Sequence, residues 1–137
     1  YFKGVSLGRP LSTAATQPVV NRGVSVTPLA PVNARANRNS ADTGITWQRR
    51  TRMQTRFLGP LSSSVPLGEA FEAYQVDVYS NGSFTTVVRT LTATGPLATY
   101  TSAQQTEDFG SPRTVLYVRI YQMSEVVGRG FPLTATI

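Results

Sequence analysis

The chain contains neither cysteine nor histidine. Without cysteine there is no disulfide staple and no thiolate metal site. Without histidine there is no Ser-His-Asp relay, no imidazole-ligated metal and no side chain that switches charge near neutrality. Acid is also scarce, with seven Asp and Glu against thirteen Lys and Arg. No apolar run approaches the roughly 18 residues that a membrane span needs, and no signal-peptide pattern opens the chain. These absences remove much of the catalytic repertoire. The chain is therefore read as a non-enzyme with no cofactor, no metal and no membrane span.

What is present fits one domain. The chain has 137 residues, 40% of them hydrophobic, enough for one compact core. Tyr1 rather than Met stands first and Tyr1–Leu7 already reads as strand, so the chain is read as the ordered end of something longer. The formal net charge is +6. Arg35, Arg38, Arg49, Arg50, Arg52 and Arg56 crowd one stretch whose acid is Asp42, with Glu69, Glu72 and Asp77 close behind. Such a balance favours an acidic partner (phosphate, lipid headgroup or polyanionic glycan), and a basic nucleic-acid- or polyanion-binding β domain is the alternative function. Solvated strand faces paired with nearby carboxylates account for the same arginines.

β-branched residues set off by Gly, Pro, Ser and Thr predict short strands throughout. Phe2–Leu7 and Val19–Val26 are small strand candidates too poor in large apolar residues to fold alone. Thr27-Pro28-Leu29-Ala30-Pro31 reads as a stiff linker, because each proline fixes its own φ and extends its neighbour. Residues 1–31 are thus taken as an N-terminal β arm and linker, and 32–137 as the domain. Seven strands are expected there: Val32–Arg38, Ile45–Met53, Ala73–Tyr79, Phe84–Leu91, Leu97–Tyr100, Val115–Gln122 and Phe131–Ile137. Asn81-Gly82 predicts a tight hairpin. Ser102 and Gln105 match a capping box that opens a short helix over Ser102–Asp108. Alternation places Trp47, Tyr74, Val76, Leu116, Val118 and Ile120 in the core of an all-β, immunoglobulin-like sandwich.

Trp47 in the second strand, Leu116-x-Val118-x-Ile120, and Ser124 with Gly128-Arg129-Gly130-Phe131-Pro132 resemble fibronectin type III domains. Leu116 stands where that family usually has the tyrosine that opens its sixth strand. A longer series is similar to the C-terminal end of the tail-tip hub ("megatron" or host-specificity, TIM-barrel-like) proteins. These belong to alphaproteobacterial tailed phages and gene transfer agents. The series runs Trp47-Gln48-Arg49-Arg50-Thr51-Arg52, Val65-Pro66-Leu67-Gly68-Glu69, Glu72-Ala73-Tyr74, Val88-Arg89, Tyr100-Thr101-Ser102-Ala103-Gln104-Gln105, Asp108-Phe109-Gly110, Val118-Arg119 and Gln122-Met123-Ser124. The resemblance implies a virion component at the tail tip, trimeric within a larger hub. Its partners would be other tail-tip proteins and a glycan or protein of the host envelope, with nucleic acid a weaker prospect. The enzymatic-looking domains of that family lie upstream of the matching region.

Three sets of side chains are candidate sites. Glu69 and Glu72 could form a glycosidase-like carboxylate pair, but ion pairing with the nearby arginines is the stronger reading. Arg49, Arg50 and Arg52 are the matching basic cluster. Strand period turns Arg49 inward, where a free charge is expensive, so the strand bulges or Arg49 pairs with a carboxylate such as Glu69 or Glu72. Tyr79, Tyr117, Arg119 and Tyr121 share an outer sheet phase and could stack on sugars or bases, or bury against another subunit. Glu107-Asp108 reads as a solvated helix end and Gly128-Arg129-Gly130 as a loop turn.

Overall fold

The computed structural model describes residues 1–18, 20, 23–38, 41–52 and 65–137. Residues 53–64, with Met53 of the second expected strand and Arg56 of the basic stretch, lie outside them, as do 19, 21, 22, 39 and 40. At the N-terminus β1 (Phe2–Lys3) pairs antiparallel with β2 (Thr16–Gln17), and residues 24–26 form a single 3-10 turn. The extended strand expected over Phe2–Leu7 is thus reduced to two residues, and the described end of the one expected over Val19–Val26 is a turn, its residues 19, 21 and 22 lying outside the described residues. The rest comprises β3 (Val32–Asn37), β4 (Thr43–Gln48), β5 (Tyr74–Tyr79), β6 (Val87–Ala93), β7 (Leu97–Tyr100), α1 (Ser102–Phe109), β8 (Tyr117–Ser124), β9 (Gly128–Arg129) and β10 (Leu133–Thr136).

The strands build an all-β sandwich. One sheet has the order β3-β4-β7; the other runs β10-β8-β5-β6, with β9 added beside β8. All pairings are antiparallel. The third, sixth and seventh strands of the sandwich share a sheet, as do the first, second and fifth. The fourth pairs with the third. Ile45, Trp47, Tyr74, Val76, Val78, Leu91, Ala98, Tyr100, Leu116, Val118 and Ile120 form one buried cluster. In β4 and β8, buried and less buried positions alternate, as a half-buried strand requires. Trp47 packs edge-on against Tyr74, centroids 5.1 Å apart, a geometry aromatic pairs prefer.

Four boundaries differ from the sequence reading, each for a local reason. The cap of α1 is one residue earlier. Thr101 accepts from the Gln104 N–H (3.2 Å), and Gln104 Oε1 accepts from the Thr101 N–H (3.0 Å). Gln105 is free of capping and buried instead, donating to Thr43 Oγ1 (3.1 Å) and Tyr100 O (3.0 Å), so it fastens the helix to β4 and β7. Asn81-Gly82 does not make a two-residue hairpin. Ser80 donates to Thr86 O and Phe84 to Asn81 O, so β6 starts at Val87 and Phe84, at φ 53, leaves the strand. Strand β4 ends at Gln48, which releases Arg49 from the inward phase. Lastly, Gly128-Arg129 is a short strand folded back on Met123-Ser124 rather than an open turn.

The proline segment is docked, not free. Pro28 and Pro31 are fully buried, and Pro28 O accepts the Phe131 N–H at 2.9 Å. A Cβ at Gly130 would meet Pro28 Cβ at 2.7 Å and Gln122 O at 2.9 Å, so only glycine lets these backbones approach. Residues 23–31 therefore belong physically with the sandwich, and the expected linker is part of its wall.

Candidate functional site

The outer face of the β10-β8-β5-β6 sheet carries two stacks of arginine on aromatic rings. Register places Tyr79 opposite Tyr117, Asp77 opposite Arg119 and Gln75 opposite Tyr121. Two stacks cover this grid. In the first, the Arg119 guanidinium carbon lies 5.2 Å from the Tyr79 ring centre and 5.4 Å from that of Phe84. Phe84 meets Tyr79 and Tyr117 edge-on at 5.4 and 6.0 Å. In the second, Arg129 lies 4.5 Å above Tyr121 and grips Asp77 with both ends of its fork, at 2.6 and 3.0 Å. Its Nε donates to Gln75 Oε1 (2.7 Å), and Thr90 Oγ1 donates to Asp77 Oδ1 (2.7 Å). Bidentate pairing and stacking are what guanidinium, unlike ammonium, does well.

The carboxylate of Asp77, hydrogen-bonded to Arg129, raises the arginine's pKa. Burial, and next the neighbouring Tyr121 hydroxyl, raises that of Tyr79. Tyr79 is only 5% exposed, so it lies beneath Phe84 and Arg119 and is not part of an accessible patch. Tyr117, Arg119 and Tyr121 are half-buried and remain at the surface. The four-residue exposed patch is thereby corrected to three residues resting on Tyr79. Phe84, Arg129 and Asp77 escaped the sequence reading. Alternation keeps Phe84 in the strand it leaves, and Gly128-Arg129-Gly130 reads as a turn. Asp77 carried the one usable signal, an acid between valines in a central strand, which demands a cation.

The basic cluster is divided among carboxylates and backbone carbonyls. Arg49 Nη1 pairs with Glu72 at 2.9 Å and its Nε donates to Val65 O at 2.7 Å. Arg52 pairs with Glu69 at 3.1 Å, and Arg50 is exposed. Glu72 also accepts from the Tyr74 hydroxyl (2.9 Å), and burial first, then this carboxylate, raises the phenol's pKa well above its ordinary range. Glu69 and Glu72 are each held by a different arginine, the ion pairing expected of them. A third cluster gathers at the Glu107-Asp108 helix end. Arg89 clasps Asp108 at 2.6 and 2.8 Å and Glu107 at 2.7 Å, and the Tyr100 hydroxyl donates to Asp108. Arg89, then Tyr100, holds the Asp108 carboxyl below its usual range, while burial opposes them. Asp108, its side chain 8% exposed, makes this helix end a clamp onto β6 and β7, whereas Glu107, 74% exposed, is solvated as expected.

Among the described residues no group of three or more acids converges to hold a metal, and no helix is long and apolar enough to cross a membrane. No protein-family model matches the chain, and no curated protein matches it.

Proposed function

We propose that this chain is a structural and interaction domain of a tail-tip hub protein of the phage and gene-transfer-agent kind, and that it packs against other tail-tip proteins or further copies of itself. The observation that carries the interaction reading is the sheet face on which Tyr117, Arg119 and Tyr121 are held half-buried by Tyr79, Phe84, Asp77 and Arg129. Tyrosine and arginine dominate interface hot spots because they bury large area and still hydrogen-bond at the tip. Here their rotamers are already fixed, which lowers the entropy lost on docking. The tail-tip setting and the fibronectin type III assignment rest on the motif series, with the strand partition in support of the latter. A polyanion-binding role has less behind it, because Arg49, Arg52, Arg89 and Arg129 are already engaged by carboxylates.

The test is the double substitution Tyr117→Ser and Tyr121→Ser in the hub protein of an assembling particle. The expected result is a folded domain with defective tail assembly or adsorption. Normal particles with normal infection overturn the proposal. Retention of the isolated chain on heparin that falls steeply with salt would favour polyanion binding instead.

A further inference from the structure

We infer that the outer edge of β6 takes up an extended segment of a partner protein as an added strand, with its apolar side chains entering the cleft at the C-terminal end of β6. This is independent of the tail-tip reading and uses none of the aromatic side chains of the outer face. Among the described residues the sheet ends at β6, whose one strand neighbour is β5. The pleat fixes which backbone groups are already used. Met123 donates to Ala73 O and Ser80 to Thr86 O, so odd-numbered residues along β5 turn toward β8 and even-numbered ones toward β6. Tyr74 with Ala93, Val76 with Leu91, and Val78 with Arg89 are then the pairs that exchange hydrogen bonds. Thr90 and Thr92 turn N–H and C=O to the open side, and both residues are exposed. Donors and acceptors repeating every second residue along a line match another extended backbone, the geometry of strand addition.

The edges that β3, β7 and β10 form in the sandwich are guarded in ways that β6 is not. Strand β3 breaks register at Asn33, which sits at φ 56. Strands β7 and β10 have four residues each and follow Pro96 and Pro132. Strand β6 has seven residues, and its bulge opposite Tyr79 protects only the first two. Its one charge, Arg89, is drawn away to Asp108 and Glu107. The adjoining cleft of about 710 Å³ is lined by Phe71, Ala73, Thr92, Leu97 and Met123 among others, and Phe71 and Leu97 stand 46% and 54% exposed. A strand along Thr90–Thr94 leads its side chains there. The net charge of +6 sets two copies of this chain against each other and favours a different protein as the donor.

Random peptides of about ten residues, displayed and selected on the immobilised whole chain, supply the probe. The strongest binder is titrated by NMR into the wild type, T92P and F71D. Proline at 92 deletes an edge-facing N–H and leaves the β5 ladder intact, and F71D tests the cleft should T92P fail to fold. The expected result is amide shifts centred on Thr90–Thr94 and binding at least about tenfold weaker in each folded variant. No selected peptide, shifts elsewhere, or unchanged binding in folded variants overturns the inference. A dimer in sedimentation that T92P abolishes overturns it too, and assigns the edge to a second copy.

Discussion

At the residue scale, the buried polar groups set how stability depends on pH. The folded pKa of Asp108 is lowered from 3.8 by Arg89 and Tyr100, so its contribution is complete above the ordinary carboxylate range and is lost as pH falls through the folded value. Urea midpoints should therefore drop on acidification below about pH 4, and Asp108→Asn should flatten that limb. Tyr74 and Tyr100 behave oppositely. Burial first, then Glu72 and Asp108, raises both phenols above 10.0. Their contribution is complete below that pH and falls away as pH rises beyond it, so stability should decline in alkali and less so in Tyr100→Phe. Trp47 is the clearest apolar case. Its ring is buried against Tyr74, yet its Nε1 has no acceptor among the described residues. Trp47→Ala should cost about 3–5 kcal/mol by urea unfolding. Trp47→Phe should cost clearly less, because it keeps a ring and removes a donor that was unsatisfied. Equal losses in the two variants would place the stabilisation elsewhere than in ring packing.

At the scale of elements, strand phase was legible and the fold-backs were not. Alternation alone put Trp47, Tyr74, Val76, Leu116, Val118 and Ile120 on inward positions, and all six are buried, because a period of two leaves little freedom once one face is apolar. The sequence did not reveal that Phe84 leaves its strand at φ 53 to lie over Tyr79, nor that Arg129 folds back onto Asp77. Both contacts are tertiary, set by loops whose local signals also suit ordinary turns. The pairing of Arg49 with Glu72 was half legible: charge cost demanded a carboxylate, but two were within reach and only coordinates separate them. Arg129→Ala tests the fold-back. It leaves Asp77, 3% exposed, with Thr90 as donor; because Arg129 itself is 40% exposed, the loss is discounted from that of a fully buried pair to about 1–3 kcal/mol. Adding Asp77→Asn should recover part of it, since the stranded charge is gone, so the double variant should lose less than the sum of the singles. Strict additivity in denaturant unfolding would show that the two side chains are not coupled.

At the scale of the whole molecule, the two halves of the N-terminal region make different contributions. Residues 1–18 hold themselves by local bonds such as Arg9 to Ser6 O and Thr13 to Pro10 O, and Tyr1, Leu7 and Leu11 are exposed. Residues 23–31 instead bury Pro28 and Pro31 and pair Pro28 with Phe131, bracing the β8–β9–β10 end of the sheet whose face carries Tyr117, Arg119 and Tyr121. Composition could not separate them, because proline reads as a spacer whether it is solvated or packed. A chain beginning at residue 19 should melt within a few degrees of the full chain, since the described side chains it removes are exposed except for half-buried Ala14. A chain beginning at residue 32 loses the buried prolines and the acceptor of the Phe131 N–H, on the order of 2 kcal/mol, and its Tm should fall by roughly 10 °C. Limited proteolysis should cut first in the same place, within the first eighteen residues, and stop before Gly23. If both truncations melt together, the proline segment is a spacer after all, and the aromatic face holds its shape without it.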